Sequence, residues 1–183
     1  MKRRAFLAAL PAALPILAPA LMAGCSTPGV RLDAPYVSTP HGVVEEMLRL
    51  AKVGPQDLVY DLGCGDGRFI IAAAEKFGAR GVGIDLDPRR IAEAREGARR
   101  AKVGDRVSFR EEDLFVTDFS AATVVTLFLY AELNGRLAPK LRKLKPGSRI
   151  VAYRYGIPGW PADEESQVHL HEQSHHILFW RVR

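Results

Sequence analysis

The run Asp61-Leu62-Gly63-Cys64-Gly65-Asp66-Gly67 constrains this chain more than any other feature. It follows the apolar stretch 58–62, which reads as a buried strand, and leads straight into 69–77, which reads as a helix. Glycines at a strand-to-helix turn permit backbone conformations that a Cβ blocks. They also let backbone N–H groups and the helix N-terminus approach a ligand closely. The spacing is GxGxG, with an acid two residues ahead of the first glycine. A turn built to seat a dinucleotide pyrophosphate requires GxGxxG instead.

The flanking segments repeat the same grammar. Val43, Val44, Met47, Leu48 and Ala51 recur at helical spacing across 42–51, with Glu45, Glu46 and Arg49 opposite, which predicts an amphipathic helix. Stretches 81–86, 107–110, 123–129 and 149–153 read as further strands, and 133–144 as a helix. Asp87-Pro88 supplies an N-cap and a first-turn proline for a helix running to about residue 101. Strand and helix alternate, so the sheet is expected to be parallel with helices on both faces. The C-terminus departs from this: 167–172 and 175–182, separated by Gln173-Ser174, predict a hairpin and hence an antiparallel pair.

Open α/β sheets bind ligands outside the carboxyl ends of their strands. Asp85 ends the second predicted strand, 18 residues after Gly67, and a carboxylate there can accept hydrogen bonds from both hydroxyls of a ribose. Asp113 follows the third, where a polar side chain can meet an adenine edge. A structural glycine turn with solvated acids accounts for each feature singly, but poorly for three at successive strand ends.

At these residues the sequence resembles the class I S-adenosylmethionine (SAM) methyltransferases. Pro35-Tyr36-Val37 with Thr39-Pro40, the run Asp61 to Arg68, Gly83-Ile84-Asp85-Leu86-Asp87-Pro88, and Glu132-Leu133-Asn134 carry a narrower resemblance. They look like the small protein-lysine methyltransferases of archaea and mitochondria and their bacterial relatives. The resemblance spans about residues 35–183 and implies an α/β, Rossmann-like, doubly wound seven-stranded sheet with an antiparallel C-terminal hairpin. It implies SAM as cofactor and a protein lysine nitrogen as acceptor. It places Asp61, Gly63, Gly65 and Gly67 around the amino-acid part of SAM, Asp85 on the ribose and Asp113 near the adenine, with Tyr36 and Thr39 closing over the cofactor.

The acceptor is expected at the exit of the fourth strand, 128–132, where Tyr130 and Glu132 are candidates for orienting its nitrogen. Ordinary packing for Tyr130 and a helix N-terminal acid for Glu132 stand as equal alternatives. The Asn/Asp-Pro-Pro-Tyr tetrad of enzymes that methylate adenine or glutamine amides is missing there, which disfavours planar-amide chemistry. Phe128 stands where the lysine relatives often carry Tyr. Two further readings remain open: an exported adenosyl-binding module without turnover, and a small-molecule or RNA methyltransferase.

Residues 1–24 have the build of an export signal: Lys2, Arg3 and Arg4, an apolar stretch over 5–21, and a small-residue exit at Ala23-Gly24. Arg3-Arg4-Ala5-Phe6-Leu7 resembles a twin-arginine signal, and Leu21-Met22-Ala23-Gly24-Cys25 a lipobox that would acylate Cys25. Pro11, Pro15 and Pro19 argue against a stable spanning helix. Residues 25–40 read as a tether and an extended segment leading into the domain, 41–183. The expected location is therefore exported, periplasmic or lipid-anchored, with a cytoplasmic enzyme as the alternative. Without the signal the formal charge of +5 falls to +2, so no nucleic-acid partner is expected.

Cys64 then remains without an intramolecular disulfide partner. His169, His171, His175 and His176 cluster near the C-terminus, but no Cys or carboxylate group completes a ligand set. A solvent-facing hairpin and no metal are expected. Trp160 is a candidate for lining the cleft or anchoring a loop. Nothing in the sequence bears on oligomeric state.

Overall fold

Short apolar runs pair as five parallel strands: β1 (Leu58–Leu62), β2 (Arg80–Asp85), β3 (Val107–Glu111), β4 (Val124–Leu127) and β5 (Arg149–Tyr153). β6 (Glu164–Leu170) and β7 (Gln173–Arg181) form an antiparallel hairpin, and β7 pairs antiparallel with β5. The seven strands are ordered β3-β2-β1-β4-β5-β7-β6, the expected architecture. Helices α1 (His41–Leu50), α2 (Arg68–Phe77), α3 (Pro88–Arg100) and α4 (Ala131–Leu141) complete it. This computed structural model describes residues 36–170 and 172–183. The expected export signal, Cys25 and the tether as far as residue 35 lie outside the described residues, as does His171.

Side chains alternate across the strands, so each face acquires its own core. Val59, Val124, Val151 and Phe179 face Met47, Ile70 and Ile91 of α1, α2 and α3. Tyr60, Val125, Ile150 and Trp180 face Leu137 and Leu141 of α4. Burying each large aliphatic side chain contributes about 1.5–3 kcal/mol. The strand order reverses between β1 and β4, where the chain returns from the β3 edge and its helices change face. That reversal opens a crevice at the carboxyl ends of the central strands.

Three local features differ from the sequence-based expectation. β4 stops at Leu127, where its pairing with both Leu62 and Ala152 ends, so Phe128 and Leu129 leave the ladder. α4 runs over Ala131–Leu141, with Pro139 withholding one N–H inside it, and ends short of 144. The hairpin reverses between Leu170 and Gln173, with Glu172 left-handed at φ 63°, just ahead of Gln173-Ser174. Val168 and Leu170 pack against the α1 side of the core, and a Cβ on Gly42 would lie 2.8 Å from Leu170. This apolar contact favours the observed register over the expected one.

One histidine also departs from the solvent-facing expectation. His175 is buried, and its Nδ1 lies 2.6 Å from the Tyr153 hydroxyl. His176 pairs with Glu165 at 2.9 Å, and His169 is exposed. Among the described residues no helix is long and apolar enough to cross a membrane.

Candidate functional site

The glycine turn is fastened to the neighbouring strand by its backbone. Gly63 and Cys64 both donate their N–H to the Ile84 carbonyl at 2.9 Å. Gly67 adopts φ 79°, and a Cβ there would lie 2.6 Å from the Phe109 ring and 2.8 Å from Ala94. Only glycine permits both the conformation and the close packing. A Cβ on Gly65, which has φ 52°, would collide with the Tyr36 ring.

Asp85 ties this turn to the next helix. Its Oδ2 accepts from the Gly65 N–H at 2.8 Å and its Oδ1 from the Asp87 N–H at 2.9 Å. Each oxygen keeps further acceptor capacity for a ligand. Asp87 in turn caps α3, accepting from the Arg89 N–H at 2.9 Å.

Asp61 lies inward of Asp85 and is 3% exposed. It accepts from the Thr126 hydroxyl at 2.6 Å. Burial, opposed by that hydrogen bond and reinforced by the charges of Asp85 and Asp66, pushes its carboxyl up to about 7. No basic group among the described residues offsets this burial. A cation placed beside such a buried carboxylate would stabilise its ionised form. Burial first, then Asp61 and Asp85, likewise push the Cys64 thiol up, so Cys64 contributes a wall rather than a nucleophile.

A latch closes one side. Arg68 donates to Asp66 at 2.8 and 2.5 Å, to the Thr39 carbonyl at 2.5 Å and to the Tyr36 hydroxyl at 3.2 Å. Burial alone would raise Asp66, but Arg68 holds its carboxyl below the usual range. Arg90 lies 4.0 Å over the Tyr36 ring, so two arginines fix the segment that leads into α1.

Five of the expected residues line the resulting cleft: Tyr36, Thr39, Asp61, Gly63 and Asp85. Gly65 and Gly67 shape the same turn without lining it. Asp113 does not line it either. Its Oδ1 accepts from the Phe115 N–H at 2.7 Å and its carbonyl from the N–H groups of Val116 and Thr117, so it shapes the loop that brings Leu114 and Phe115 to the cleft. Tyr130 is 45% exposed at the N-cap of α4, and Glu132 is exposed in the first turn. Neither lines the cleft, and an acid at Glu132 suits the helix dipole. Trp160 anchors a loop, its carbonyl accepting from the Trp180 indole at 2.9 Å and its ring lying under Arg142.

Sequence reasoning missed Asp66, Arg68, Leu114 and Phe115 as cleft residues, while Phe128 and Leu129 of the expected acceptor segment 128–132 do line the cleft. An acid and an arginine flanking the last glycine signalled the first pair. Two apolar residues directly after Asp113 signalled the second.

The cleft is of the right kind for SAM: a glycine cradle that a Cβ would fill, a carboxylate with free acceptor capacity, and a buried acid without a basic partner among the described residues. Comparisons with known proteins agree. The profile of the ANTKMT methyltransferase domain matches residues 61–164. A protein-lysine N-methyltransferase from Saccharolobus islandicus (strain REY15A) is 44% identical over 150 residues, covering 81% of this chain and 93% of its own length. The adenine nucleotide translocase lysine N-methyltransferase of Mus musculus is 33% identical over 132 residues, 72% of this chain but 57% of that protein. A solved RNA methyltransferase from Salinibacter ruber, in complex with S-adenosyl-L-homocysteine, is 44% identical with a TM-score of 0.74, covering 80% of this chain and 94% of that one. The chain therefore belongs to the ANTKMT methyltransferase domain family, within the class I SAM-dependent methyltransferases.

Proposed function

We propose that this enzyme transfers a methyl group from SAM to the side-chain nitrogen of a protein lysine. The acceptor class rests on the 44% identity to the Saccharolobus islandicus protein-lysine N-methyltransferase across nearly all of that protein. Bound in the cleft, SAM supplies a methyl carbon activated by its sulfonium for in-line displacement by an acceptor nitrogen.

The chain's own residues bind, orient and exclude water. Asp61 receives the positive charge of the amino-acid moiety, beside the Gly63, Gly65 and Gly67 turn. Asp85 accepts from the ribose hydroxyls. Asp113 serves the base indirectly, holding Leu114 and Phe115 in place. Tyr36 and Thr39 cover the cofactor, held there by Arg68. Phe128 and Leu129 face the acceptor side with apolar surface. A lysine, with a reference pKa of about 10.4, has to react as the neutral amine, and desolvation against these walls disfavours its charged form. Tyr130 and Glu132 stand at the outer rim, positioned to orient the incoming chain.

The Salinibacter ruber relative favours a second reading, RNA as acceptor. The two separate in one experiment. The full chain is incubated with tritiated SAM and cell lysate, and the products are treated with nuclease or protease. Label that resists nuclease and yields to protease supports the protein acceptor; nuclease-sensitive label overturns it. Absence of label with the wild type overturns turnover itself and leaves an adenosyl-binding module. Asp85→Ala is the negative control.

The same proposal extends to location. Arg3-Arg4 and the stretch ending at Cys25 support export and a lipid anchor, and export after folding would let SAM travel bound. Mass spectrometry of the native N-terminus tests this: an acylated Cys25 supports it, and an intact Met1 overturns it in favour of a cytoplasmic enzyme.

A further inference from the structure

At the exit of β5 the backbone is bent into an uncommon conformation. Arg154 has φ 66°, and the Tyr155 N–H donates to the Tyr153 carbonyl at 2.8 Å. A hydrogen bond between residues two apart around a left-handed centre is the strained form of γ-turn, and Arg154 is not a glycine. Two ties hold it. The Arg154 N–H donates to the His176 carbonyl on β7 at 2.8 Å. Fully buried Asn134 of α4 spreads its amide over the carbonyls of Leu129, Tyr155 and Gly156 at 3.2, 3.1 and 3.2 Å. Its own Oδ1 is left buried without a partner among the described residues. Strain and an orphaned oxygen together mark a place where geometry is held against local preference.

What the turn delivers is Tyr155. Its ring lies 6.5 Å from that of Phe128, nearly parallel at 15°, and 5.4 Å from that of Tyr130 at 61°. Phe128 lines the cleft and Tyr130 is 45% exposed, so three rings run from the cofactor side to solvent. The inner ring is backed by buried Tyr153, 4.6 Å away, itself tied to His175. Five other rings, Tyr36, Phe115, Phe119, Trp160 and Tyr153, each carry an arginine or lysine of the chain. Among the described residues the three rings of this row carry none.

We infer that Phe128, Tyr155 and Tyr130 form the acceptor's approach, an aromatic wall that takes the alkyl stem and ammonium of a side-chain amine against rings that carry no cation among the described residues. The inference rests on the lysine-directed reading and deepens it by naming where the lysine lies. Aromatic faces attract ammonium groups, and attract methylated ones through both charge and apolar surface. Arg154 and Asn134 are positioning residues, acting through Tyr155.

Tetramethylammonium chloride is the probe, titrated calorimetrically into the full chain saturated with S-adenosyl-L-homocysteine, with equimolar sodium chloride as the ionic-strength control. Saturable millimolar binding is expected, weakened at least fivefold in Tyr155→Leu and retained in Tyr155→Phe, with SAM affinity unchanged in both. In the transfer assay, Tyr155→Leu raises the half-saturating acceptor concentration at least fivefold with little effect on the limiting rate. No saturable binding to the wild type, or equal binding by Tyr155→Leu, overturns the wall while leaving lysine transfer intact. Wild-type label on nucleic acid overturns the lysine reading beneath it, and is scored separately from the titration.

Discussion

The Oδ2 of Asp85 accepts a hydrogen bond from the Gly65 N–H at 2.8 Å, which makes the glycine turn after β1 and the acid ending β2 one rigid unit. The other oxygen holds the Asp87 N–H. Asp85→Ala leaves both donors without their partner and removes the proposed ribose acceptor. It is expected to weaken SAM binding about 100-fold, matching a loss of about 1–3 kcal/mol per orphaned group. Asp85→Asn offers one acceptor oxygen for two N–H groups and falls between. Calorimetric titration with SAM checks both, and wild-type affinity in either variant contradicts the assignment.

Asp61 makes stability depend on pH in an unusual direction. Its carboxyl is pushed up to about 7 by burial, so the native state keeps its proton where the unfolded chain has already lost it. Stability without cofactor therefore falls as pH rises from about 4 to about 7, by up to about 1.4 kcal/mol per pH unit. Asp61→Asn is expected to flatten this slope and to be more stable than wild type at pH 8, while losing SAM affinity. Urea denaturation across that range reads the difference.

A cation received by Asp61 favours its ionised form, so SAM binding near pH 6.5 is expected to release a proton. Binding enthalpies measured in two buffers of different ionisation enthalpy report it. Equal enthalpies would show that Asp61 does not receive the charge.

Arg68 holds Asp66, the Thr39 carbonyl and the Tyr36 hydroxyl at once. Arg68→Ala is expected to speed SAM dissociation about tenfold in stopped-flow traces, because the covering segment loses its anchor. Arg68→Lys is not expected to restore it, since one ammonium cannot reproduce a planar fork. Combined with Tyr36→Ala, the two effects are expected to be less than additive.

Much of the fold was legible because strand and helix periods switch cleanly at glycine, proline and aspartate punctuation. Asp61 and Asp85 were legible for the same reason, since they border strand ends that local sequence defines. The latch was not, because Arg68 and Thr39 stand 29 residues apart and meet only when α2 packs beside the segment before α1. Asp113 was legible as a strand-end acid, but its bond to its own loop at Phe115 was not, because the turn that follows β3 has no glycine or proline to mark it. Tyr155 was invisible because Tyr153-Arg154-Tyr155 contains no glycine to announce a left-handed turn. The hairpin register was set by Leu170 against α1, a contact no local pattern encodes.

The central claim is that this cleft moves a methyl group onto lysine nitrogen. It is tested most directly by acid hydrolysis of lysate protein labelled by the full chain with tritiated SAM, followed by amino-acid chromatography. Label eluting with N-methylated lysines, and absent with Asp85→Ala, is the predicted result; label eluting with methylated nucleosides or with another amino acid contradicts it.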